Sequence, residues 1–220
     1  MVEDSDFETY LSITPKKFVI YLHNSKNFEN LYTQEITCNS LNDSIDLILL
    51  SKFLEDNIFK IEKLIGKIIK NIYLIIDTNK SINLKIGIKK KNYDKNLNKK
   101  YLENLLTEAN DLIKDSYHNH KIIHILISRF LINGNDYPKF VNNINCDHLC
   151  LEMEFIFIPE KFLSDIEEVL EKYQIKVVKI FDGKYLENLS KKYDKNVPKL
   201  ASMIKDGFNE NEVKVVPKNS

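Results

Sequence analysis

The stretch KIIHILISRFLINGNDY (Lys121–Tyr137), followed by CLEMEFIFIP (Cys150–Pro159) and EKFLSDIEEVLEKYQIKVVKIF (Glu160–Phe181), decides the fold. Ile122–Ile132 is apolar on both faces for most of its length, as expected of a strand covered on two sides. Asn133-Gly134 follows at once, and both residue types tolerate the positive φ that a tight reversal demands. In the next strand Leu149, Leu151, Met153, Phe155 and Phe157 share one face. Cys150, Glu152 and Glu154 share the other, at the period of two that marks a half-buried strand. Pro159 ends the ladder and suits the first turn of a helix. Phe162, Ile166, Val169, Leu170 and Tyr173 then recur at steps of three and four, with Glu167, Glu168, Glu171 and Lys172 turned outward. Ile175–Phe181 is the returning strand, with a turn expected at Asp182-Gly183.

Working outward from that block, Tyr10–Leu22 reads as strand, turn at Thr14-Pro15, strand. Phe28–Thr37 is the partner strand, joined through His23–Asn27. Ile45–Leu50 fits either a strand or a helix start, because periodicity alone does not separate the two. Lys52–Ile69 predicts a helix with Leu54, Ile58, Ile61, Ile65 and Ile68 inward. Ile72–Ile76 is a buried strand, expected to pair with Ile82–Ile88 across a turn at Thr78–Ser81. Lys89–Lys100, with six lysines among Asn and Asp, reads as a solvated linker. Tyr101–Lys114 predicts a helix burying Leu102, Leu105, Leu106, Ala109, Leu112 and Ile113. Short helices are expected at Lys184–Lys192 and Lys199–Lys205.

A chain of 220 residues, 43% hydrophobic and 29% charged, suits one large or two small soluble domains. With 32 basic and 32 acidic residues the formal net charge is zero, so no global field draws in nucleic acid or an anionic membrane. Arg129 is the sole arginine, which argues against the bidentate contacts of sequence-specific nucleic-acid readers. No apolar run approaches the ~20 residues of a membrane-spanning helix. The acidic start (Glu3, Asp4, Asp6, Glu8) is unlike a signal peptide. Three cysteines give no disulfide framework, and the expected location is the cytoplasm.

Chemistry-bearing clusters are few. His118, His120 and His124 precede Cys146, His148 and Cys150, and alternation along a strand would put the last three on one side. Imidazole and thiolate suit zinc. Against a metal site, no CxxC pair is present, and isolated Cys and His residues are more often packing residues. No GxSxG motif occurs, and five glycines cannot build a Gly-rich phosphate loop. Glu152 and Glu154 lie on a solvent face with nothing to separate their pKa values. No catalytic residue is assigned, and no enzyme activity is expected.

On these residues the chain resembles the FtsA family of bacterial cell-division proteins, within the actin-like ATPases. IIHILISRFLINGNDY is similar to the family strand that opens with "LHVI" and ends in a "DG" turn, His124 and Asn133-Gly134 holding those places. LCLEMEFIFI resembles the family's "LEVEVHIV". FLSDIEEVLEKYQIKVVKIFDGKYLENL resembles its helix-strand-helix continuation. Leu11–Lys17 (LSITPKK) stands where the family has "LDIGTSK", and NIYLII after Lys52–Ile69 where it has "VYVGIS". Ser12 and Thr14 therefore replace the Asp and Gly of the family's first phosphate loop, and no cofactor is expected. A carboxylate for the Mg²⁺ shell is lost, and Pro15 removes an N–H where phosphate would approach.

The resemblance implies an α/β (α+β) fold: an acidic tail (1–9), a trimmed actin-like, ribonuclease H-like subdomain (10–93), an inserted strand-helix-strand-strand subdomain (94–193) and a partly disordered tail (194–220). The family's nucleotide-binding second half has no counterpart. The implied function is a non-enzymatic divisome scaffold acting by protein–protein interaction, at the division site on the inner face of the cell membrane. Its implied partners are other cell-division proteins or a second copy. The family's contact with FtsZ lies mainly in the absent half, which argues against direct FtsZ binding. The alternatives are a small metal-binding or thiol-sensing module using Cys146, His148 and Cys150, and an atypical ATP-binding protein.

Overall fold

The computed structural model describes residues 6–38, 44–193 and 196–213. Its elements begin with β1 (Phe7–Ile13), β2 (Lys17–Asn24), β3 (Asn30–Thr37), α1 (Leu47–Ile65) and β4 (Asn71–Ile76). There follow β5 (Ile82–Lys91), β6 (Asn96–Leu97), α2 (Lys99–Ser116), β7 (His120–Ile132), β8 (Asn135–Tyr137) and β9 (Ile144–Asn145). The chain continues through β10 (His148–Pro159), α3 (Glu160–Glu171), β11 (Lys176–Asp182), α4 (Gly183–Ser190) and α5 (Val197–Lys205). Two compact units result: Met1–Ser81 with Lys161–Asp206, and Ile82–Glu160 with Gly207–Ser220.

The first unit is built on a five-stranded sheet in the order β11-β4-β1-β2-β3. β1, β2 and β3 are antiparallel neighbours, whereas β4 runs parallel to both β1 and β11. Three antiparallel strands continued by two parallel ones in this order form the ribonuclease H-like arrangement of an actin-like subdomain. β4 is buried as a central parallel strand must be, with Ile72, Leu74, Ile75 and Ile76 all in the core. α1 starts where the Asp46 side chain accepts a hydrogen bond from the Leu49 amide, and ends at Gly66, whose φ of 66° is left-handed. It buries Leu50, Phe53, Leu54, Asn57, Ile58 and Ile61, with Phe53 against the ring of Phe18 on β2.

The second unit is a four-stranded antiparallel sheet, β5-β10-β7-β8, beside a two-residue ladder of β6 and β9. α2 packs Leu102, Leu105, Ala109 and Ile113 into a cluster with Leu149, Leu151, Met153, Phe155 and Phe157 of β10. Each of these side chains other than Ala109 contributes about 1.5–3 kcal/mol of burial free energy. At the β7–β8 turn Asn133 and Gly134 have φ of 52° and 85°, as the dipeptide predicts.

Several expectations are corrected. Ile82–Ile88 does not pair with Ile72–Ile76: both edges of β4 are taken by β1 and β11, and β5 pairs with β10. The contrast between β4, apolar and buried at Ile72 and Leu74–Ile76, and an alternating β5 records that difference. Lys89–Lys100 is not a linker. Lys89–Lys91 finish β5, and Asn98 caps α2 by accepting from the Tyr101 amide at 2.9 Å. The units part at Ser81–Ile82 and again at Glu160–Lys161, not near residue 93, so α3 and β11 lie with the first unit and not with β7 and β10. Ile45–Leu50 resolves as the approach to α1 and its first turn. Because α1 ends at Gly66, Ile68 falls out of phase and is exposed, as Leu112 is on α2. Asp182-Gly183 opens α4 instead of making a turn. In the N-terminal acidic segment Phe7–Thr9 belong to β1, and in the C-terminal segment Val197–Lys205 form a helix with buried Leu200, Ala201 and Ile204. Of those two predicted tails, residues 1–5, 194–195 and 214–220 lie outside the described residues. None of the helices among the described residues is long and apolar enough to cross a membrane.

Candidate functional site

Open α/β sheets bind ligands beyond the carboxyl ends of their parallel strands, where connections diverge. In the first unit that place is reached by β1, β4 and β11. It holds a cleft of about 350 Å³ lined by Thr14, Pro15, Lys16, Asp77, Thr78, Asn79 and Lys184. The Asp77 amide donates to the Ile13 carbonyl at 3.0 Å, joining the ends of β4 and β1. β11 arrives beside them and α4 leaves: a Cβ on Gly183 would sit 2.7 Å from the Asp77 Cβ, so this crossing accepts only glycine. Lys184 reaches over to donate from Nζ to the Thr78 carbonyl at 3.4 Å.

The β1–β2 hairpin closes this cleft on one side, and its donors are already used. The Thr14 hydroxyl oxygen accepts from the amides of Lys16 at 3.2 Å and Lys17 at 2.9 Å, and the hydroxyl donates to the Lys17 carbonyl at 3.0 Å. The Thr14 amide donates to the same carbonyl at 3.0 Å, and Pro15 has no N–H. Anion-binding loops work by aiming free amides outward, and here a side-chain oxygen occupies two of them. Ser12, the other position that the resemblance singles out, lies one residue inside the end of β1, paired with Val19 and Ile75. Across the cleft Asp182 caps α4, accepting from the Tyr185 amide at 2.7 Å, so a buried carboxylate stands at the helix end that would attract an anion. The cations that line the cleft are Lys16 and Lys184, with Asp77 lining it beside them.

The metal candidates are not assembled. β10 begins at His148, so Cys146 precedes the strand, escapes its alternation and points into the α2-covered core. His148 is exposed, and Cys150 is half-buried on the opposite sheet face. His148 and Cys150 do line a shallow cleft of about 850 Å³, but Lys89, Lys91 and Lys95 share it and repel a divalent ion. Burial, with Asp147 adding to it, pushes the Cys146 thiol up, which suits a packing residue better than a redox sensor. His118 is exposed and His120 packs edge-on to Tyr117. Among the described residues no three His, Cys, Asp or Glu side chains group as a metal site requires.

Sequence reasoning missed the role of His124. It is fully buried on β7, with Nδ1 3.0 Å from Glu212 Oε1. A lone polar residue within the apolar run Ile122–Ile127 was the available signal, but its partner is 88 positions away.

No protein-family model and no curated protein matches the sequence. Among solved structures the chain is similar to the cytoplasmic domain of EpsL, an inner membrane component of the type II secretion system of Vibrio cholerae (9% identity, TM-score 0.42, 80% of this chain). It is also similar to a Bacteroides thetaiotaomicron protein described as having an actin-like ATPase fold (13%, 0.33, 87%) and to a PilM–PilN type IV pilus biogenesis complex (8%, 0.44, 81%). The chain spans 57%, 60% and 48% of those chains respectively.

Proposed function

We propose that this chain is a non-enzymatic adaptor on a reduced actin-like frame, working through protein–protein contacts and without ATP. The observation that carries the reading is the closed β1–β2 hairpin, where the Thr14 hydroxyl takes the amides of Lys16 and Lys17 and Pro15 supplies none. An actin-like unit whose phosphate loop has turned its donors inward retains its surfaces as its working parts. β3 at one edge of the first sheet and β5 at one edge of the second are the strands a partner strand would extend. The resemblance to FtsA supports a setting in cell division, on the inner face of the cell membrane, with division proteins or a second copy as partners.

Calorimetric titration of the full chain with Mg-ATP is expected to give no saturable heat, and millimolar Mg-ATP no rise in melting temperature. A ligand bound only by the folded state must raise stability, by about 2.7 kcal/mol at a hundredfold excess over Kd. Saturable binding would overturn the ATP-independent reading. Proximity labelling from a fusion in dividing cells of its host is expected to enrich division proteins at midcell. Enrichment of secretion or pilus-assembly components instead would keep the adaptor and move it to another assembly.

A further inference from the structure

β7 carries a second occupant besides β8. Residues Asn209–Val213, which belong with the second unit, lie along the middle of the strand. The Ile127 amide donates to the Asn211 carbonyl at 2.7 Å, the Val213 amide donates to the Ile125 carbonyl at 2.8 Å, and Glu212 stands opposite Leu126 as an antiparallel bridge. A local turn shapes the segment: the Asn211 amide donates to Asn209 Oδ1 and the Glu212 amide to the Asn209 carbonyl. Among the described residues it is held by backbone pairing, by the carboxylate of Glu212 on buried His124, by Val213 packed on the core cluster of the unit, and by an exposed ion pair of Glu210 with Lys139 at 2.8 Å. Gly207 precedes it with a φ of 90°, beyond the end of α5.

We propose that this edge of β7 is a strand-docking site, that Asn209–Val213 is its built-in, displaceable occupant, and that the partner it fits is an extended peptide segment with a carboxylate side chain followed by an apolar one. The inference rests on the adaptor reading and names the chemistry of one of its partners. The resident segment defines that chemistry. An imidazole buried in a β-strand is a costly choice unless a carboxylate meets it, and period-two alternation then sets the next apolar side chain toward the opposite, core-packed face. Addition of a strand to a sheet edge supplies affinity through backbone pairing and specificity through alternate side chains. The resident segment shows a single bridge to β7 among the described residues, and a longer partner strand gains more pairing than it displaces.

The test uses a fluorescent peptide of this chain's Phe208–Val213 sequence, titrated by anisotropy with the full chain and with its Glu212→Gln variant. The variant, whose own occupant has lost the charged contact, is expected to bind the peptide at least ~10-fold tighter than the unaltered chain, the scale of one charged hydrogen bond. Replacing the peptide's own glutamate that corresponds to Glu212 by glutamine is expected to weaken binding by about the same factor. Equal affinity for both chains, or indifference to that glutamate, would overturn the proposal. If the variant fails to fold, hydrogen exchange on the unaltered chain decides. The Ile127 amide should exchange at least ~100-fold faster than that of Phe155 in the middle of the sheet, because local opening costs less than global unfolding. Equal rates would mean that the segment leaves only on unfolding, and would overturn it. A dimer of the unaltered chain that the Glu212→Gln change dissolves would assign the edge to a second copy, and overturn it likewise. The ATP titration and the labelling bear on the adaptor; the peptide bears on the β7 edge alone.

Discussion

His23 on β2 is fully buried, stacked on Phe28 at 4.8 Å between ring centroids and flanked by Tyr21 and Tyr10. Burial pushes its imidazole below the ordinary value, and the Phe28 backbone and Glu8 offset that only in part. A base whose folded pKa is depressed binds fewer protons in the folded state, so stability rises with pH until the unfolded histidine, near pH 6.5, is neutral. The melting temperature is therefore expected to be flat above about pH 7 and to fall on acidification from there to pH 5. His23→Phe should reduce that slope. A slope unchanged in the variant would show that other groups set it. Cys38 and Cys146 illustrate the same physics with the opposite sign for an acid: burial pushes both thiols up.

Among the elements, α5 is tied to the sheet of the first unit by one cluster of polar and aromatic groups. Lys205 pairs with Glu8 of β1 and lies 5.3 Å over the ring of Tyr73 on β4. Tyr10 donates to Glu8 Oε2 at 2.5 Å and stacks on Tyr73 at 5.1 Å. The side chains of Lys205 and Glu8 are 24% and 12% exposed, so water screens this pair less than the exposed pairs elsewhere in the chain. Lys205→Met is expected to cost about 2 kcal/mol in urea unfolding, because it strands a partly buried carboxylate. Adding Glu8→Gln should recover part of the loss. Strict additivity of the two changes would show that the ion pair contributes nothing. These ties run between the first and last parts of the chain, and no periodicity within either part announces them.

For the whole molecule, 32 basic and 32 acidic residues leave no net charge at neutral pH. Self-repulsion is then minimal, so solubility is expected to pass through a minimum near pH 7 and recover by pH 9, read as turbidity of concentrated protein. A minimum displaced by more than about one pH unit would mean that folded-state pKa shifts, not composition, set the charge.

Local pattern was enough to determine the longer strands and helices of this chain, the Asn133-Gly134 turn and the inward face of β10, but not the short strands β6, β8 and β9 or the end of β5. Each depends on steric preference and periodicity within a few residues. The resemblance carried by LSITPKK and IIHILISRFLINGNDY also pointed to the strand arrangement of the first unit, and it is the source of the expectation that Ser12 and Thr14 stand at altered phosphate-loop positions. Pairing was beyond reach. That β4 lies between β1 and β11, that β5 crosses to β10, and that the chain leaves the first unit after Ser81 and re-enters it at Lys161 all depend on contacts far apart in sequence. The same holds for the two features on which the proposed function and the strand-docking proposal rest. Thr14 could be read as a lost glycine, but only the folded hairpin shows its hydroxyl occupying the amides of Lys16 and Lys17. His124 could be read as an odd residue in an apolar strand, but only tertiary structure supplies Glu212, because a hydrogen bond is set by distance in space and a sequence records distance along the chain.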